Sequence, residues 1–103
     1  MKKAFISQLM AGKTNNQIRL ERLKAMQKLQ NMGYYILNSI IEEEPSEDIT
    51  NPGVWYISKS LEILSQADIV YFMSGWENGR GCRIERAVAQ EYEIPILEEG
   101  EEL

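Results

Sequence analysis

The chain has 103 residues, 44% of them hydrophobic and 26% charged, and carries a net charge of -5. This length allows one domain with a modest core, and the composition is that of a globular protein rather than a disordered one. The acidic balance argues against a polymeric nucleic-acid partner, which would demand a basic face, and leaves room for a single nucleotide held by a few local arginines.

The opening MKKAFISQL is too short and too quickly polar for a signal peptide, and no apolar run reaches the length of a bilayer span. A cytoplasmic protein without membrane contact is expected. Residues 3–9 read as a strand in which the run Ala4-Phe5-Ile6 marks burial on both faces. The next segment, Met10-Ala11-Gly12-Lys13-Thr14, contains Gly-Lys-Thr, but a Walker loop needs glycine where Ser7 stands, so that reading fails. Thr14 followed by Gln17 is a capping-box pattern and predicts a helix from Asn15 to about Met32, stopped by Gly33. Ile18, Ala25, Met26, Leu29 and Met32 share one arc of that helix. Leu20 and Leu23 fall on the opposite arc, either as a subunit contact or as ordinary exposed leucines.

Residues 34–41 form a second β-rich run. Residues 42–53, rich in acids and containing Pro45, Pro52 and Gly53, read as an exposed loop, either a lid over a site or a solvated connector. Helical spacing resumes with Trp55, Tyr56, Ile57, Leu61 and Leu64, and residues 67–73, ADIVYFM, are the clearest buried strand. A glycine-rich loop beginning at Ser74 then enters a helix over residues 81–92 that places Ile84, Ala87, Val88 and Tyr92 on one face. Residues 94–97 make a last strand, and residues 98–103 an acidic tail expected to fray.

The order β, α, β, α, β, α, β predicts a three-layer α/β sandwich of the flavodoxin or Rossmann-like kind in one domain over residues 1–103. Its four-stranded parallel sheet would run in the order 2-1-3-4 with helices on both faces. The crevice of such a sheet opens where the connections after strands 1 and 3 diverge, which brings residues 8–14 and 74–81 together. Histidine is absent and Cys82 is the single cysteine. His-based triads, His metal ligands, intrachain disulfides and multi-cysteine zinc sites are therefore excluded, and proton transfer falls to carboxylates, Tyr, Lys or Cys. No metal and no cofactor are expected. Free N–H groups at the start of the last helix, with Arg80 or Arg83, suit a phosphate, although glycines before a helix also serve simply to turn the chain.

The stretches MKKAFISQLMAGKT, NPGVWYISKSLEILSQADIVYF and GWENGRGCRIERAVAQEYEIPIL together resemble the nucleoside 2-deoxyribosyltransferase-like superfamily. The likeness is to its small prokaryotic and phage branch related to deoxynucleoside monophosphate N-glycosidases, and it covers nearly the whole chain. Gly81, Glu85 and Ala89 match that superfamily's loop-and-helix pattern. The resemblance implies the fold just derived, a homo-oligomer, and Glu85 as a nucleophile that attacks the anomeric carbon of a deoxyribosyl group. It also implies that Ser7 and the loop of Met10, Ala11, Gly12 and Lys13 approach the sugar or phosphate. Trp76 would then stack on a base or anchor its loop. The candidate ligand-binding set is Ser7, Gln8, Met10, Ala11, Gly12, Lys13, Ser74, Gly75, Trp76, Asn78, Arg80, Gly81 and Arg83, with Glu85 catalytic. In two places the chain departs from the superfamily: Ser60 stands where active members carry a leaving-group aspartate, and Ser7 and Gln8 stand where an aromatic residue is common. Three functions follow as expectations: cleavage or transfer at an N-glycosidic bond, capture of a nucleotide signal without cleavage in the manner of a phage sponge, or a purely structural or interaction role.

Overall fold

The computed structural model describes residues 1–101. Its elements are β1 (Lys3–Ser7), α1 (Asn15–Asn31), β2 (Tyr35–Ile36), α2 (Pro52–Leu64), β3 (Ile69–Phe72), a single 3-10 turn (Trp76–Asn78), α3 (Arg80–Glu91) and β4 (Ile96–Glu98). The four strands form one parallel sheet in the order β2-β1-β3-β4, as the alternation of strand and helix patterns requires. No helix among the described residues is long and apolar enough to cross a membrane.

Strand alternation divides the core in two. Ala4, Ile6, Ile69, Tyr71 and Met73 point to one face and pack with Ala25 and Leu29 of α1. Phe5, Val70 and Phe72 point to the other and pack with Leu64 of α2 and Ala89 of α3. The period of two along each strand makes this division automatic once both faces are covered. Helix starts follow local chemistry. Thr14 Oγ1 accepts from Gln17 N at 3.1 Å while Gln17 Oε1 accepts from Thr14 N at 2.8 Å, a complete capping box. Asn51 caps α2 through Val54 N, with Pro52 at the first helical position.

Three expectations are corrected. The second strand is two residues long rather than the whole of 34–41. The ladder of bonds to β1 runs from Tyr35 N to Lys2 O and from Leu37 N to Ala4 O, and then the Ser39 hydroxyl, not a backbone N–H, reaches Ile6 O. Asn38 Oδ1 accepts from Ile40 N and turns the chain away from the sheet. On α3 the inward face carries Cys82, Glu85 and Ala89; of the four residues expected to share a face, Val88 packs partly against the core, whereas Ile84, Ala87 and Tyr92 are exposed. Glu85 reads as polar in any hydropathy pattern, but two serine hydroxyls receive it inside, on the face that also buries Cys82 and Ala89. Of the tail, Glu98 belongs to β4 and pairs with Arg86 at 2.5 Å, and Glu101 Oε1 accepts from Glu98 N; residues 102–103 lie outside the described residues. Leu20 and Leu23 stand outward on α1, 63% and 48% exposed.

Candidate functional site

The loops after β1 and β3 meet at Leu9. A Cβ built on Gly75 would lie 3.3 Å from Leu9 Cδ2, and one on Gly79 would lie 3.2 Å from both Leu9 Cδ1 and Cys82 Sγ. Close approach therefore demands small residues on the β3 side of the crevice. Gly75 also has φ +91, the left-handed region in which a side chain is strained. Met73 N donates to Ser7 O across the same junction. The three-residue turn Trp76–Asn78 then delivers the chain into α3 with no side chain capping its first N–H groups.

Glu85 lies one turn inside α3 and is 7% exposed. Ser7 Oγ, at the end of β1, donates to its Oε1 at 2.6 Å, and Ser60 Oγ, from the last turn-and-a-half of α2, donates to its Oε2 at 2.5 Å. One carboxylate is thus gripped by hydroxyls from a strand and from a second helix, each oxygen keeping a lone pair in reserve. Burial pushes the Glu85 carboxyl above its ordinary value, and the hydrogen bonds from Ser60 and Ser7 pull it back only in part. The neighbouring Cys82 thiol is likewise pushed up by burial, with a hydrogen bond to Ser7 acting in the opposite sense.

Glu85 and Ser60 form part of the wall of a cleft of about 430 Å³, a size suited to a small organic ligand. Of the expected ligand residues, Gln8, Met10, Ala11, Arg80 and Gly81 line it, and Ser7 acts through Glu85. Lys13 and Ser74 line a separate cleft of about 400 Å³ against α1, with Gln8 forming the wall common to both. The Lys13 ammonium is held there by Glu21 at 2.8 Å, and that contact is the main cause of the lowered Glu21 carboxyl. Gly12, Gly75, Trp76, Asn78 and Arg83 line neither of these clefts. Trp76 packs on Phe72 with ring centroids 5.5 Å apart and lies under the Arg86 guanidinium at 4.5 Å, so its ring anchors the turn. Arg83 Nη1 donates to Glu77 O at 2.9 Å, and Asn78 N to Gly75 O at 3.0 Å, both bracing the same turn.

Several cleft residues had no part in the sequence-derived set: Phe5, Ile6 and Leu9 from β1 and its loop, Ser39, Ile40 and Ile41 after β2, Tyr56 on α2, and Gly79 and Cys82. Ser60 was legible only as a departure, yet it holds Glu85. Behind Ser39 lies Arg22 of α1, 6% exposed, its Nη2 donating to Ser39 Oγ at 2.7 Å and its Nη1 buried without a partner. Burial pushes the Arg22 guanidinium below its ordinary value. Among the described residues no three Cys, Asp or Glu side chains are grouped to hold a metal.

Over residues 2–98 the sequence matches the model of a family described as a domain of unknown function, DUF4406. The chain belongs to the DUF4406 family. The match runs from before β1 to the end of β4, so Ser7, Ser60 and Glu85 all fall inside the DUF4406 unit. No curated protein and no solved structure matches the chain.

Proposed function

We infer that this DUF4406 domain binds a nucleoside- or nucleotide-derived small molecule in the cleft between the loops after β1 and β3, and acts at its N-glycosidic bond through Glu85. The observation that carries the reading is the buried Glu85 carboxylate, oriented at both oxygens and set in the wall of a ligand-sized cleft. The resemblance to nucleoside 2-deoxyribosyltransferases supplies the substrate class.

The chemistry follows from the geometry. As the bond between the anomeric carbon and the base nitrogen lengthens, positive charge builds on the sugar, and an ionised carboxylate at close range stabilises it. The lone pair left on a Glu85 oxygen forms the carbon–oxygen bond while the base departs with the electron pair of the broken bond and takes a proton from solvent. Water then attacks the glycosyl ester, releasing the sugar and restoring the carboxylate, or a second base takes the sugar in its place. Ser7 and Ser60 fix the direction of attack, and their two hydroxyls offset part of the cost of burying the carboxylate charge. Arg80 and the uncapped start of α3 supply positive potential at the mouth of the cleft.

Ser60 also supports a second reading, capture without cleavage. A serine hydroxyl cannot deliver the proton that a carboxylic acid would give the leaving base, and without that assistance bond breaking is slow. One experiment separates the two. The protein is incubated with a panel of deoxynucleosides and their monophosphates, free base is followed by chromatography, and affinity is measured by calorimetry on the same samples. Base release that disappears in Glu85→Gln supports catalysis; tight binding without release supports capture; neither binding nor release of any panel member removes both readings. The expected homo-oligomer, for which Leu20 and Leu23 are the exposed candidates, is checked by sedimentation at micromolar concentration.

A further inference from the structure

Among the described residues, Arg22 is the one cation that the fold places deep inside without a counter-charge. It is 6% exposed, pairs with no carboxylate among the described residues, and keeps one guanidinium nitrogen without any acceptor. Its neighbour on α1, Glu21, is committed to Lys13. Guanidinium does not give up its proton at accessible pH, so the charge persists. A buried charge without a partner is strongly unfavourable, and an anion arriving beside it recovers that free energy.

The surroundings show where such an anion docks. Arg22 Nη2 donates to Ser39 Oγ at 2.7 Å, and Ser39 lines the Glu85 cleft. The Ser39 proton goes to Ile6 O at 3.2 Å, long for a bond donated by a hydroxyl and therefore easily surrendered. Completing the β1–β2 ladder at Ile6 O needs only a hydroxyl; it gives no reason for a guanidinium behind it. A cation donating into an oxygen makes that oxygen's own O–H a stronger donor. Gln8, which lines the same cleft, is 7% exposed, its amide nitrogen fixed on Ile18 O at 2.9 Å and its Oε1 buried without a donor. The same cleft thus offers a cation-backed donor and an orphaned acceptor.

We propose that the ligand of this cleft is anionic, that its negative group docks on Ser39 in front of Arg22, and that a hydroxyl or N–H on the same ligand meets Gln8 Oε1. A sugar phosphate carries both groups side by side. This assignment rests on the nucleotide reading above for its ligand class but not for its anion site, and it places the phosphate at the β1–β2 end of the cleft rather than at Arg80 and the start of α3.

Thermal unfolding of the wild-type protein is followed with increasing inorganic phosphate against chloride at matched ionic strength. Calorimetry then compares a deoxynucleoside 5'-monophosphate with its nucleoside for wild type, Arg22→Gln, Ser39→Ala and Arg80→Gln. Phosphate is expected to raise the wild-type midpoint above chloride, and the monophosphate to bind about tenfold or more tighter than the nucleoside. Both effects are expected to be lost in Arg22→Gln and weakened in Ser39→Ala. A preference for monophosphate that survives in Arg22→Gln, or that is lost in Arg80→Gln alone, overturns the assignment, as does a wild-type midpoint indifferent to phosphate, a result that needs no folded variant. Stabilisation by phosphate through Arg22 with no binding of any nucleoside or nucleotide would retain the anion site and sink the nucleotide reading. Nucleoside binding with no gain from phosphate would do the reverse.

Discussion

Replacing Glu85 by Gln is expected to stabilise the protein at neutral pH while abolishing any base release. Sequestering a carboxylate at 7% exposure carries a penalty of several kcal/mol. The two hydroxyl bonds from Ser7 and Ser60 return about 1.5–3 kcal/mol each. The terms nearly cancel, and because the carboxyl lies above its ordinary value, the balance stands against the charged form. A residual of about 1 kcal/mol is the expected gain from the isosteric neutral amide, which for a chain of this size raises the unfolding midpoint by roughly 4 °C. The pH dependence has a definite sign. A folded-state carboxyl raised above its unfolded value contributes stability that is fully present below the unfolded value, about 4.3, and is lost as pH rises through the folded one. The gap between Glu85→Gln and wild type should therefore be widest near neutrality and close toward about pH 4. Urea denaturation of both proteins across that range measures it. A Glu85→Gln protein less stable than wild type by about 1 kcal/mol or more at neutral pH would refute the reasoning, since it would mean that the hydroxyl bonds outweigh burial.

Gly75→Ala is expected to lose about 1–2 kcal/mol, because its left-handed backbone suits no side chain and Leu9 stands at 3.3 Å. Gly81→Ala, with Ile57 Cδ1 no nearer than 3.9 Å and a helical backbone, should be neutral or gain up to about 0.5 kcal/mol; denaturant midpoints of the pair compare the two glycines directly. Thr14→Ala removes one half of the capping box on α1 and should lower stability by about 1 kcal/mol. The same denaturant titration reads it, and an unchanged midpoint would show that tertiary packing alone holds the start of α1.

The alternation of strand and helix patterns, the capping signals Thr14 and Gln17, and the turn glycines were enough to set the sheet order, because each depends on neighbours a few residues apart and on handedness rules common to all chains. The meeting of the two loops was also legible, since strand order alone places them at the switch point. What lay beyond reach were contacts whose partners are far apart in the chain. Ser7, Ser60 and Glu85 are separated by 78 and 25 positions, and only tertiary packing turns Glu85 inward and gives Ser60 a donor's part. Pattern groups Ile84, Ala87, Val88 and Tyr92 on one face of α3, but the fold turns Cys82, Glu85 and Ala89 inward and leaves Ile84, Ala87 and Tyr92 exposed. Arg22 belongs to the same class. On α1 its position reads as one more charged residue between apolar ones, and its burial depends on Ser39, where β2 gives out and a side chain completes the ladder. Local periodicity thus determined which segments form strands and helices. Which polar side chains those elements enclose was decided by the tertiary fold, because a buried polar group is admitted only where a distant partner meets it.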